Sequence, residues 1–168
     1  LNIHCYDPTP DSVNLFATNF NYKDKMTFHQ KAYANSTFSQ ENSKMKFYYD
    51  SKDLTKCYSL LPLPQFGDNP SYIEVDTINL EQSLNDVDNK VDIIKADIEG
   101  VWFDFCREVI DLNVDFKAFL VEFEVKLIDN ETSIKQYEDL LKEFKDKGYK
   151  LYLNRPRNKI LSEAVILK

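Results

Sequence analysis

The sequence predicts one three-layer α/β domain: a mostly parallel sheet with helices on both faces and an antiparallel last strand. Three observations predict it. Apolar runs with a period of two alternate along the chain with stripes of helical period. Strands separated by helices need crossover connections, which make neighbouring strands parallel. The last two runs, 149–153 and 161–167, have no helix between them and therefore pair antiparallel. At 168 residues, 43% of them apolar or aromatic, the chain can bury one core and is too short for two ordinary ones. Residues 1–168 are expected to form a single domain.

The elements follow in order. Residues 1–6 read as a strand entered partway through a larger gene product. In Asp7-Pro8-Thr9-Pro10, Thr9 can cap a helix, and Pro10 suits its first position because the missing N–H is one the helix could not use. Val13, Phe16, Ala17 and Phe20 fall at i, i+3, i+4 and i+7, on one face expected to be buried. A second strand is expected over 27–34, where Phe28, Gln30, Ala32 and Ala34 alternate with Thr27, His29, Lys31 and Tyr33. Met45, Phe47 and Tyr49 give a third, placed on an edge where Lys44 and Lys46 discourage further pairing. Pro62, Pro64, Gly67 and Pro70 make 50–70 an ordered, irregular excursion. A short strand is read at 72–75, and Asn79 with Gln82 has the spacing of a capping box. The nearly continuous apolar run 91–98 predicts a buried strand, followed by the helical stripe Trp102, Phe105, Cys106 and Val109. Residues 118–125 form another strand. Ile134, Tyr137, Leu141 and Phe144 trace the next helix, closed by Lys145 and Lys147 against its dipole and by Gly148 as a left-handed cap.

Composition narrows the function. With 28 acidic and 21 basic residues the net charge is -7, which repels a phosphate backbone, so no nucleic-acid partner is expected. No stretch has the roughly 20 uncharged apolar residues of a membrane span. The three glycines, Gly67, Gly100 and Gly148, lie too far apart to share a loop, which excludes a G-x-G-x-x-G turn, a P-loop and a nucleophile elbow within these residues. Cys5, Cys57 and Cys106 form no C-x-x-C pair and read as reduced thiols, and the expected compartment is the cytoplasm. The oligomeric state is not legible.

In parallel α/β sheets, ligands bind beyond the carboxyl ends of the strands. That rule selects Asp7, Asp97 and the acidic residues of the 118–125 strand. A carboxylate just past a strand can accept both hydroxyls of a ribose; the bland alternative is that Asp7 only organises its Asp-Pro turn. For Lys95-Ala96-Asp97-Ile98-Glu99-Gly100 the bland alternative is a Lys95 ion pair with Asp97 capping the following helix. Asp97, Glu99 and Glu124 could converge on a hard cation such as magnesium, but helix-start carboxylates commonly serve as caps, and no metal is expected. His4 and His29 lie in different strands with no partner at ligand spacing and read as structural.

The segment Ile3-His4-Cys5-Tyr6-Asp7-Pro8-Thr9-Pro10, the strand at 28–34 and above all Val91-Asp92-Ile93-Ile94-Lys95-Ala96-Asp97-Ile98-Glu99-Gly100 resemble successive motifs of FkbM-type S-adenosylmethionine-dependent methyltransferases. The resemblance implies a Rossmann-like class I methyltransferase sheet and methyl transfer from S-adenosylmethionine, most often to a hydroxyl of a small molecule or glycan. It implies that Asp7 takes the cofactor's ribose hydroxyls, and that Asp97, with Lys95 and Glu99, faces the methyl-transfer cleft as the catalytic group. The family's Glu-x-His corresponds to Glu122-Phe123-Glu124, with glutamate in place of histidine. The family's first strand, glycine-rich loop and following helix would precede Leu1. The chain is therefore expected to be a fragment or a truncated descendant, and to bind the cofactor poorly by itself. Two further readings stay open: a non-catalytic interaction module descended from the fold, and another nucleotide-binding α/β enzyme, such as a nicotinamide-dependent one.

Overall fold

The computed structural model describes residues 2–19, 24–41, 44–52, 57–123, 130–154 and 162–168. β1 (Ile3–Tyr6) ends at Asp7, whose carboxylate accepts the Thr9 N–H at 2.8 Å and the Ser12 hydroxyl at 2.6 Å. This turn feeds α1 (Pro10–Asn19), whose first backbone bond runs from Val13 N–H to the Thr9 carbonyl at 3.0 Å. β2 (Met26–His29) returns parallel to β1, with Cys5 opposite Phe28. The unit stays shallow. Phe16 stacks on Phe28 with ring centroids 4.9 Å apart, but Val13 and Phe16 are only half-buried and Ala17 is exposed. Phe20 lies outside the described residues, so the buried helical face read from the sequence is at most half realised.

The single strand expected over 27–34 is broken. Lys31 N–H bonds back to the His29 carbonyl at 2.8 Å, a kink that ends β2. β3 (Ala32–Tyr33) then leaves for a different sheet, pairing parallel with β6 (Ser71–Ile78). After α2 (Ser36–Glu41), β4 (Lys44–Tyr49) runs antiparallel to β6 and, at Tyr48 and Tyr49, also to β5 (Tyr58–Ser59). β4 is thus flanked on both sides at its end, and the expected edge survives only over its lysine-bearing first part. The excursion closes in a 3-10 turn, Pro64–Phe66, which buries Leu63 and Phe66. α3 (Leu80–Asn85) opens on a complete capping box: Asn79 Oδ1 accepts Gln82 N–H at 2.8 Å, and Gln82 Oε1 accepts Asn79 N–H at 3.1 Å.

The main sheet holds β7 (Ile93–Ala96), β8 (Ala118–Phe123), β9 (Lys150–Asn154) and β10 (Ser162–Leu167) in the order β7-β8-β10-β9. β7 and β8 are parallel, and β10 is antiparallel to β8 and β9, as the sequence pattern predicts. Strand alternation puts Ile94, Ala96, Phe119, Val121, Phe123, Ala164 and Ile166 on one face. Trp102 of α4 (Trp102–Asp111) and Tyr137 of α5 (Asn130–Asp146) meet Phe123 edge-on, while Phe105 and Phe144 meet Phe119. Leu80 and Leu84 bring α3 into the same core. α5 ends in a Schellman cap: Gly148 sits at φ +90°, Tyr149 N–H reaches the Phe144 carbonyl at 3.0 Å, and the two rings pack.

The opposite face carries Lys95, Leu120, Glu122 and Val165, with Ile93 at 65% and Tyr152 at 58% exposure. The fold is mixed α/β, but two expectations are corrected. Instead of one mostly parallel sheet the described residues form three sheets, two of which mix parallel with antiparallel pairs. Instead of helices on both faces of the main sheet, α3, α4 and α5 share one face. The physical reason is pairing: among the described residues β1 has only β2 as a neighbour and β7 has only β8, so the parallel strands do not join.

Candidate functional site

β7 delivers Lys95 and Asp97 to its carboxyl end. Lys95 Nζ lies 3.3 Å from Asp97 Oδ2, with both side chains half or more exposed; a pair so wet contributes about 0–1 kcal/mol, too little to be a structural reason for either residue. Asp97 does not cap the next helix. Val101 occupies that N-cap position and makes no side-chain cap bond.

The turn after Asp97 is held by the irregular excursion. Ser59 Oγ donates to the Glu99 carbonyl at 2.7 Å and accepts Leu61 N–H at 3.0 Å. Gly100 sits at φ +77°, and a Cβ there would lie 3.0 Å from Leu63 Cδ2 and 3.2 Å from Ser59 Oγ. Both the backbone conformation and the close approach require glycine. Residues 57–66 therefore clasp the Glu99–Gly100 turn and fix where its carboxylate sits.

Glu99 and Glu122 share this neighbourhood with Asp97. Burial pushes the Glu99 carboxyl above the usual range; a hydrogen bond with Cys57 opposes the rise, and Asp97 and Glu122 add to it. Burial likewise raises Glu122, reinforced by Asp97 and Glu163 and opposed by Lys95. Glu163 stands directly across from Glu122 in the β8–β10 register, a like-charge pairing that favours keeping a proton. Carboxyls whose protonated form is favoured beside an ionisable cluster are suited to take up or hand on protons. Glu124, offered with Asp97 and Glu99 as a possible cation ligand, lies outside the described residues.

Asp7 stands apart, at the end of β1. Each of its carboxylate oxygens already accepts one bond, from Thr9 and Ser12, so the turn-organising alternative is realised. A carboxylate offers about four lone-pair sites, which leaves two for a ligand. The link to β7 is electrostatic: burial raises the Cys5 thiol, Asp7 raises it further and Lys95 opposes both.

The Methyltransferase FkbM domain matches residues 5–151. The chain belongs to the FkbM methyltransferase family. The match spans Asp7, Lys95, Asp97, Glu99 and Glu122 together, and no curated protein and no solved structure matches the chain. The mixed α/β fold is consistent with a methyltransferase domain, and none of its described helices is long and apolar enough to cross a membrane.

The sequence reading missed two contacts. Cys57 bonds Glu99 across 42 positions, for which no spacing rule exists. His4 and His29, read as unpartnered, are neighbours: β1 and β2 pair, and His4 Nδ1 lies 3.0 Å from His29 Nε2. Adjacency of the two strands was the only signal, and a period-two pattern does not reveal which strands pair.

Proposed function

We propose that this FkbM domain is an S-adenosylmethionine-dependent O-methyltransferase acting on a hydroxyl of a small molecule or glycan. The observation that carries the reading is the convergence of Lys95, Asp97, Glu99 and Glu122 at the carboxyl ends of the parallel strands β7 and β8, within a family match that covers them all.

Asp97 orients the acceptor hydroxyl and takes its proton as the oxygen becomes a nucleophile, and Lys95 steadies the carboxylate from the side. Glu99 and Glu122, both biased toward their protonated forms, give that proton a nearby place to go. When bound, S-adenosylmethionine supplies an activated methyl group. Asp7 suits the ribose end, since its carboxylate keeps free acceptor capacity. The methionine end has no glycine cradle here: Gly67 and Gly148 belong to other turns, and the space at Gly100 is taken by Leu63 and Ser59. A completed site needs a glycine-bearing turn beside β1 and β7, which we place between the edges that have no partner among the described residues, in a Rossmann-like sheet.

The experiment is isotopic. The full gene product is incubated with methyl-labelled S-adenosylmethionine and a panel of hydroxylated acceptors, and the 168-residue chain is titrated with the cofactor by calorimetry. We expect label on oxygen with the full gene product and weak or absent binding by the 168 residues alone. Label appearing only on nitrogen or carbon refutes O-methylation, and tight binding by the 168 residues refutes the need for the additional turn.

A further inference from the structure

A second cluster lies away from the acidic site. The β1–β2 register sets His4 opposite Thr27 and Tyr6 opposite His29, so both histidines and Tyr6 project from one face of the pair. His4 Nδ1 is 3.0 Å from His29 Nε2, and His29 Nδ1 is 3.8 Å from Asp86 Oδ2 at the end of α3. The Tyr6 hydroxyl donates to that same oxygen at 2.9 Å, while its ring stacks on His29 with centroids 4.3 Å apart. Taking one ligand atom from each of His4, His29 and Asp86, none lies more than 4.8 Å from another.

Two ring nitrogens facing each other at 3.0 Å hold at most one proton between them, so a lone pair is turned into the cluster. Imidazole nitrogen with one carboxylate oxygen is a donor set for first-row divalent ions, whereas magnesium and calcium prefer oxygen throughout. Around tetrahedral zinc, with bonds of about 2.0–2.1 Å, ligand atoms sit about 3.3 Å apart; His4 Nδ1 and His29 Nε2 are already 3.0 Å apart, and with one atom from each residue the whole set lies within 4.8 Å, so binding needs a small inward movement. Asp86 has room to close on the ion because its side chain is 38% exposed.

We propose that His4, His29 and Asp86 bind a divalent transition-metal ion of the zinc class. Tyr6 orients Asp86 from outside the ligand set, in the way that second partners of metal carboxylates do. Three protein ligands leave a fourth position for water. The ion ties β1 and β2 to the end of α3, adding to the Tyr6–Asp86 and His29–Asp86 contacts.

The test titrates metal-free full gene product with Zn²⁺ by calorimetry, repeated with Co²⁺ so that visible absorption reports the ligand field. One equivalent is expected to bind and to raise Tm. Asp86→Asn and the His4→Gln/His29→Gln double variant should each weaken binding by well over about 10-fold, and Tyr6→Phe by about 10-fold, with Cys57→Ser unchanged. Asp86→Asn alters an exposed group and keeps the test interpretable if the double variant fails to fold. Absence of Zn²⁺ binding by the wild type, or undiminished affinity in Asp86→Asn, overturns the proposal.

Discussion

β1–α1–β2 and β7–α4–β8 are the same device, a strand, a crossover helix and a parallel strand, yet only the second has an interior. β7–α4–β8 buries Ala96, Trp102, Phe105, Cys106, Val109, Ile110, Phe119, Val121 and Phe123, with Cys106, Phe119 and Phe123 wholly inaccessible. In β1–α1–β2 no residue of a strand or of the described helix surface is fully buried, and Leu15 stands 57% exposed. Local pattern does not separate them, because both helices carry apolar residues at helical spacing. Neighbours do: β10 pairs with β8, and α5 lies over the pair, whereas among the described residues β1 has only β2. A crossover unit offers an apolar face, and the next layer decides whether that face becomes a core.

Truncation in each unit gives the largest expected contrast. Phe119→Ala leaves a cavity among Phe105, Phe116 and Phe144 and should cost about 3–5 kcal/mol in urea unfolding. Phe16→Ala, removing a half-exposed ring, should cost under about 1 kcal/mol. Amides of β1 and β2 should likewise exchange with solvent faster than those of β8 and β10. Equal costs for the two truncations would mean that β1–α1–β2 is covered in solution.

Function sharpens the same contrast, since on the proposed reading one unit binds and the other reacts. Asp97→Asn should lower turnover about 10²–10⁴-fold, with the KM for S-adenosylmethionine little changed, because proton removal matters where charge develops. Asp7→Ala should chiefly raise that KM, by a loss of about 1.5–3 kcal/mol for a charged hydrogen-bond partner. Steady-state kinetics of the full gene product separates them. Full turnover by Asp97→Asn would remove it from the chemistry.

Gly100 is where the irregular excursion is pinned to the reacting end. Gly100→Ala imposes a left-handed conformation on alanine and pushes a methyl toward Leu63 and Ser59, at a cost of about 1–2 kcal/mol. Denaturant midpoints would show it. Gly67→Ala and Gly148→Ala also strain the backbone but meet nothing within 4 Å, so a larger loss at either would mean that the clasp contributes little.

Features closed by a few consecutive residues were legible in the sequence. The Asn79–Gln82 box and the Gly148 cap are satisfied within one helical turn, so the residues that define them are also the residues that make them. The stripe Trp102, Phe105, Cys106 and Val109 was legible because its period is intrinsic to the helix. Features settled by distant partners were not. The strand over 27–34 kept its alternation on paper, yet its two halves found partners in different sheets, and Ile93, inside an apolar run, ended on a face that no described helix covers. At the candidate site, Asp97 was picked out by its position at a strand end, and Lys95 and Glu99 by the resemblance of their segment to the family motif, whereas Cys57 and Ser59 arrive from a loop that no pattern connects to them.

The smallest expected effect concerns pH, and it belongs to the buried side of the comparison. Burial, Asp97 and Glu122 together outweigh the Cys57 bond, so Glu99 holds its proton more tightly in the folded chain than in the unfolded one. A carboxyl raised in this way gives its full stabilisation below its unfolded value, near 4.5, and loses it as pH rises through the higher folded value, where ionisation must occur in a partly desolvated site. Glutamine has the same size, can still bond Cys57 and never ionises. The Tm difference between Glu99→Gln and the wild type should therefore favour the variant at pH 7 and shrink toward zero or reverse by pH 4, measured by scanning calorimetry in matched salt. A difference that stays constant across that range would show that the turn clasped by Ser59 leaves Glu99 as well solvated as any carboxylate on the shallow β1–α1–β2 unit.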